Sequence, residues 1–293
     1  MARIAALAVA YAATAWAGDS QLTAALERVA EEAALFSGIA RDLLSEETLV
    51  QRSLVRKKRF RPRVGAAALT IPEMEYRTRE LVSEYGYGAF NQAPGALHEF
   101  RQVISVDGKR TKGADSARRT LLLGLRSKDD SLKQKLLKDF EKNGLHGAAT
   151  DFGQLLLLFT ARNQKNYRFR LAGERYAGAD RVLTIEYEQR EGPEALTVFG
   201  AKQATRFRPN GELLVRGSDL TPLRITLNAT RQEVNLVRTE ATVEYAPSKH
   251  GVVVPQSVVH REIVDEVVHM ENTFRYAPFK RFGSESELKF EVQ

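Results

Sequence analysis

Two hydrophobic periods divide this 293-residue chain. From Asn166 onward, apolar and polar residues alternate with a period of two, β-branched and aromatic residues are frequent, and turn residues recur at short intervals, the pattern of successive half-buried strands. The alternation predicts strands at Tyr167–Ala172, Arg181–Gln189, Leu196–Gly200, Thr205–Phe207, Leu213–Arg216, Leu223–Thr230, Glu233–Tyr245, Val252–Ile263, Val267–Tyr276 and Ser286–Val292. Gly192-Pro193, Pro209-Asn210-Gly211, Gly217-Ser218, Pro247 and Gly251 punctuate them, and Asp265-Glu266 stands where a tight hairpin is expected. Such short connections favour an antiparallel meander over a parallel sheet.

Before residue 160 the period changes. Leu22, Leu26, Val29, Ala33, Phe36, Ala40 and Leu43 recur at spacings of three and four, with Glu27, Arg28, Glu31, Glu32, Arg41 and Asp42 between them. One apolar stripe on a solvated rod predicts a helix over 19–47, capped by Asp19 or Ser20 and docked on the chain's own sheet. Leu121, Leu125, Leu132, Leu136 and Phe140 predict a second helical region from Ser116 to Leu145, stopped at Asn143-Gly144. Asp151–Thr160 reads as a short, very apolar helix, buried or acting as a plug over a cavity. Arg77–Tyr87 and Leu97–Val106 read as antiparallel strands, the second followed by an Asp107-Gly108 turn, with Tyr85, Tyr87 and Phe90 as core aromatics.

The first residues bear on compartment. A short basic start, Met1-Ala2-Arg3, precedes an uncharged apolar or small-residue run from Ile4 to Trp16, and Ala15-Trp16-Ala17 offers small residues at both positions that a signal peptidase reads. We expect residues 1–17 to be a signal peptide cleaved after Ala17, because Asp19 ends the run short of the roughly twenty residues needed to cross a bilayer. The expected protein is periplasmic or secreted, with 18–293 as a single domain and no membrane span. The chain has no cysteine. Neither lipidation at a cysteine nor a disulfide framework is therefore available, and a 43% apolar composition must build the core.

The net charge is +7. An exported basic protein meets anionic lipid or acidic polymer more readily than nucleic acid, so no nucleic-acid partner is expected. The charge is concentrated at 52–63, seven basic residues in twelve with no acidic one. Arg56, Lys57, Lys58, Arg59, Arg61 and Arg63 are the candidates for binding an anionic envelope surface, each contributing about 1 kcal/mol near anionic lipid. The competing reading is an edge strand and loop whose charges discourage edge-to-edge pairing. Gly65 to Pro72 then reads as a loop.

Catalytic chemistry has little support. The five histidines have no cysteine partners and no two stand at i, i+4, so a helical zinc motif is absent. His260, Glu262, Asp265, Glu266 and His269 cluster near one hairpin, but read better as solvated edge residues than as a metal site. No Gly-x-Ser-x-Gly elbow and no phosphate-cradling glycine loop occurs. Glu186 and Glu188 are spaced like a carboxylate pair, yet alternating charges are the expected outer face of a half-buried sheet. The chain reads as non-enzymatic, with no cofactor and no metal.

Gly211-Glu212-Leu213-Leu214-Val215 followed by Pro222-Leu223-Arg224-Ile225-Thr226-Leu227 resembles a strand pair of the lipoprotein carrier (LolA/LppX-like) half-barrel proteins. Val253-Val254-Pro255-Gln256-Ser257 and the stretch from Phe274 to Phe282 resemble the proline-containing and closing strands of a group of secreted bacterial proteins with that fold. The resemblance covers about residues 150–292. It is one of pattern and carries over no catalytic residue. Together, resemblance and periodicity imply an α+β fold: a strongly curved antiparallel sheet, a half-barrel, mostly from the second half, wrapping the N-terminal and central helices. Its concave apolar face would hold a lipid or acyl ligand, with Phe152, Leu156, Phe159, Leu183, Ile185, Ile225 and Leu227 lining it. The alternative is an envelope interaction module working through the basic segment.

Overall fold

The computed structural model describes residues 2–57, 73–143, 151–178, 180–193, 196–199, 204–232 and 236–282. In chain order the elements are α1 (Ala2–Ile39), β1 (Leu43–Arg56), β2 (Met74–Gly88), β3 (His98–Val106), β4 (Lys109–Arg110), α2 (Ala117–Arg126), α3 (Asp130–Glu141), a 3-10 turn (Leu155–Phe159) and α4 (Ala161–Gln164). The ladder follows as β5 (Tyr167–Ala177), β6 (Asp180–Gln189), β7 (Leu196–Phe199), β8 (Ala204–Phe207), β9 (Asn210–Arg216), β10 (Pro222–Gln232), β11 (Leu236–Pro247), β12 (Val253–Val264), β13 (Val267–Tyr276) and β14 (Lys280–Arg281).

Twelve strands form one antiparallel sheet in the order β4-β3-β2-β1-β13-β12-β11-β10-β9-β6-β5, with β14 on β1. The ends do not meet, so the sheet is an open half-barrel, and the fold class is α+β as the periodicity implies. Turn chemistry sets the register of the hairpins. Asp265 and Glu266, both at positive φ (49° and 64°), turn β12 into β13, and Asp107 and Gly108 (49° and 74°) turn β3 into β4. At Gly211 a Cβ would lie 2.1 Å from the Thr226 carbonyl oxygen, so only glycine lets β9 approach β10 this closely.

α1 lies on one face of the sheet through Ala25, Val29, Ala33 and Phe36, all fully buried. Small residues along that stripe let the helix sit close to the strands. A second apolar cluster, Leu44, Phe100, Leu121, Leu136 and Phe282, fixes α2 and α3 to the strands of the first half. β3 consequently buries Phe100 as well as its opposite neighbours Glu99 and Arg101.

Several sequence expectations are corrected. The helix expected over 19–47 ends at Ile39, and Leu43–Arg56 is a strand. Leu43, Ser45, Glu47, Leu49, Gln51 and Ser53 are all buried at a period of two, so Leu43 closes a helical stripe only by coincidence. α1 runs through residue 19, so neither Asp19 nor Ser20 caps its start. Arg52–Arg56 belong to β1, which pairs with both β2 and β13 and is not an edge strand. The region 116–145 is two helices, because Asp129 accepts from the Ser131 amide and restarts the chain as α3. The apolar 151–160 segment is a 3-10 turn behind a left-handed Asp151 (φ 72°), not an α-helix. The loop expected at 65–72 and the strand expected at 286–292 lie outside the described residues.

Candidate ligand-binding site

The seven residues expected to line a cavity come together on the face that α1 covers. Leu183 and Ile185 on β6, Ile225 and Leu227 on β10, and Phe152, Leu156 and Phe159 from the 151–160 segment share one apolar cluster, each no more than 2% exposed. Phe159 meets Tyr187 edge-on at 4.8 Å between centroids, and Phe36 meets Tyr87 in the same way at 5.4 Å. Among the described residues, α1 and the Leu155–Phe159 turn pack over this face, and Phe140 of α3 joins the same cluster.

The 151–160 segment is held by side chains. The Gly153 and Asp151 amides donate to the Glu99 carboxylate at 2.8 and 3.1 Å, and the Asp151 carboxylate accepts from the Glu99 amide at 2.7 Å. His98 Nδ1 lies 3.0 Å from the other Asp151 oxygen. That hydrogen bond raises the His98 pKa against the opposing effect of burial, with the charges of Asp151 and Glu99 adding to it. Tyr245 Oη accepts from the Leu156 amide (3.0 Å) and donates to the Gly153 carbonyl (3.2 Å), while Gln154 Nε2 donates to the Leu97 carbonyl (2.7 Å). A Cβ on Gly153 would fall 2.7 Å from Glu99 Oε1, so glycine is what admits the carboxylate.

Sequence reasoning missed the charged centre of this arrangement. Arg101 pairs with Glu47 and Glu99 inside the core, with Tyr85 and Phe274 rings about its guanidinium at 5.0 and 5.2 Å. Burial lifts the Glu47 carboxyl above the usual range, and the facing Arg101 only partly offsets it. The signal was available in strand phase. Glu47 alternates in step with Leu43 and Leu49, and Glu99 and Arg101 in step with Val103, so these charges stand where core residues belong.

One polar row crosses the same face further along the strands. Gln51 on β1 is opposite Asn272 on β13, which is opposite His260 on β12. All three are buried, at 1%, 0% and 1% exposure. His260 is therefore not the solvated edge residue its sequence context suggests. Its ring stacks on Phe152 at 4.6 Å, and burial holds its pKa down at about 3. Among the described residues no group of three His, Cys, Asp or Glu is arranged to hold a metal ion.

Of the candidate surface cations, Arg56 is exposed at the end of β1 and Lys57 pairs with Glu73 at 3.1 Å. Lys58, Arg59, Arg61 and Arg63 lie outside the described residues. Glu186 and Glu188 pair with Arg170 and Arg190 on the surface, each at 2.5 Å, as an outer strand face requires. No described helix is long and apolar enough to cross a membrane.

No family model matches this chain, and no curated protein matches it. Among solved structures it is similar to a LolA superfamily protein from Nitrosomonas europaea, at 9% identity over 88% of this chain and 93% of that one, with a TM-score of 0.28. It is also similar to a DUF1329 family protein from Desulfovibrio piger, at 12% identity over 91% and 97%, with a TM-score of 0.35. At these scores the overlap is loose, and the half-barrel stands on this chain's own strand order.

Proposed function

We propose that this chain is an exported, non-enzymatic protein that binds or carries a hydrophobic, acyl-like ligand against the α1-covered face of its half-barrel. The observation that carries this reading is the mode of attachment of the 151–160 segment. An apolar turn bearing Phe152, Leu156 and Phe159 covers the wall formed by Leu183, Ile185, Ile225 and Leu227. It is fastened by side-chain hydrogen bonds at Glu99, Asp151, Gln154 and Tyr245 and takes no strand position in the sheet. Because the segment takes no part in the strand ladder, it can lift without breaking a strand pairing, and the apolar surface it leaves suits an alkyl chain. Lipid extraction and mass spectrometry of protein from its native host, with titration of a fluorescent acyl probe, test the reading. Co-purifying acyl material or saturable probe binding supports it, and the absence of both overturns it.

A second reading is favoured by the exposed Arg52 and Arg56 in the basic run: an envelope interaction module that binds an anionic surface through this segment. Replacing Arg56, Lys57, Lys58 and Arg59 with Gln should weaken binding to vesicles containing phosphatidylglycerol, and unchanged binding sinks this reading alone.

A further inference from the structure

We propose that the Gln51–Asn272–His260 row recognises the uncharged ester carbonyl of an acyl ligand, with His260 Nε2–H as the donor and a groove at the rim of β1, β12 and β13 as the way in. The proposal rests on the acyl-binding reading and names the group that reading would recognise.

The hydrogen bonds fix where the imidazole proton sits. Gln51 Nε2 donates to Asn272 Oδ1 at 2.8 Å, which turns Asn272 Nδ2 toward His260 Nδ1 at 3.3 Å. Both amide nitrogens also lie 3.6 Å from Met270 Sδ, an acceptor that suits this amide orientation. Nδ1 therefore accepts, and the ring proton is on Nε2. Nε2 is buried and has no hydrogen-bond partner among the described residues. A buried donor left in this state costs about 1–3 kcal/mol, which an entering acceptor oxygen would recover.

The surroundings select the acceptor. Burial keeps His260 neutral, so it brings no charge to balance an anion, and burying a carboxylate beside it is unfavourable. An ester carbonyl accepts the same hydrogen bond without that penalty. Ala241, a small residue, is the register neighbour of His260 on β11, and Phe152 stacks on its ring at 4.6 Å. The adjacent row, Leu49, Phe274 and Val258, is apolar and continues toward the wall described above.

Access is provided one row the other way. Ser53, Met270 and Glu262 are register neighbours there, and with Arg56 and Met74 they line a groove of about 450 Å³. Met270 belongs to both places, lining the groove while its sulfur touches the Gln51 and Asn272 amides. Its unbranched side chain can swing aside at little cost.

The test compares methyl laurate with pentadecane, a hydrocarbon of similar length, each delivered from cyclodextrin and titrated by displacement of a fluorescent acyl probe. The readout is the ratio of ester to pentadecane affinity, which His260→Phe should lower by about 5- to 10-fold relative to the wild type, the worth of one hydrogen bond. A ratio unchanged in His260→Phe overturns the role of this row and leaves the acyl-binding reading standing. Failure of both compounds to bind overturns that reading as well. Tighter, His260-dependent binding of the laurate anion than of the ester overturns selection for an uncharged head. Nitrogen-15 NMR supplies a check that needs no variant: the His260 proton should be found on Nε2 and its resonance should move on addition of methyl laurate, whereas a ring protonated on Nδ1 refutes the proposal.

Discussion

Arg101 and Glu47, 54 residues apart, meet in a bidentate ion pair of 2.6 and 2.7 Å with both side chains within the core. Glu99 takes a further hydrogen bond from the same guanidinium at 2.8 Å, so one cation serves two buried carboxylates. The pair belongs to two neighbourhoods at once. Glu47 anchors it to β1, and Glu99 passes its other oxygen to the Gly153 amide that seats the cover.

Removing the cation strands both carboxylates. Arg101→Met should cost about 3–5 kcal/mol, the usual penalty for breaking a buried pair. Combining it with Glu47→Leu should recover part of that loss by removing one of the two unpaired charges. Urea denaturation midpoints check both, and a double variant no more stable than Arg101→Met contradicts this account.

Gly153→Ala addresses the cover directly. The added methyl meets Glu99 Oε1 at 2.7 Å, Tyr85 Oη at 3.2 Å and Pro255 Cγ at 3.4 Å, so the turn must move outward. Overpacking of this kind costs about 1–3 kcal/mol. Hydrogen exchange should quicken at the Leu155–Leu157 amides well before it does in β12 or β13, and unchanged protection there shows that Gly153 does not seat the cover.

Tyr245→Phe removes the oxygen that accepts from the Leu156 amide. A buried amide left unpaired should cost about 1–3 kcal/mol. The same loss should ease opening of the cover and speed acyl-probe uptake in stopped-flow fluorescence. A variant that is destabilised but takes up probe at the wild-type rate separates stability from gating.

Two histidines oppose each other in pH dependence. The His98 pKa is raised by its Asp151 hydrogen bond, so its contribution is fully present below the ordinary value of 6.5 and is lost as pH rises through the elevated one. His260 is held down at about 3 by burial, so its contribution is present above 6.5 and is lost as pH falls toward 3, on the order of 5 kcal/mol across that window. His260→Phe should therefore flatten the acid side of the stability profile, and His98→Gln should remove stability chiefly below pH 6.5. An acid slope in His260→Phe as steep as the wild type's would falsify the buried-neutral assignment.

Most of the ladder from Tyr167 onward was legible in the chain because each strand exposes one side and buries the other, and alternation records that locally. The helix of α1 was legible as far as Phe36 for the same reason at a period of 3.6. β1 was hidden because its buried positions are filled by Ser45, Glu47, Gln51 and Ser53 alongside Leu43 and Leu49. A polar residue at a core position looks like a solvated one until its partner is known.

The antiparallel meander, its hairpin turns, the apolar wall and the stripe with which α1 docks are thus written locally in the chain, since they follow from side chains and their nearest neighbours along it. Folding brings β1 across to β13, Arg101 to Glu47, and Gln51, Asn272 and His260 into one row. The Arg101–Glu47 and Gln51–Asn272 contacts join residues 54 and 221 positions apart. Their stability comes from partners that no local period encodes.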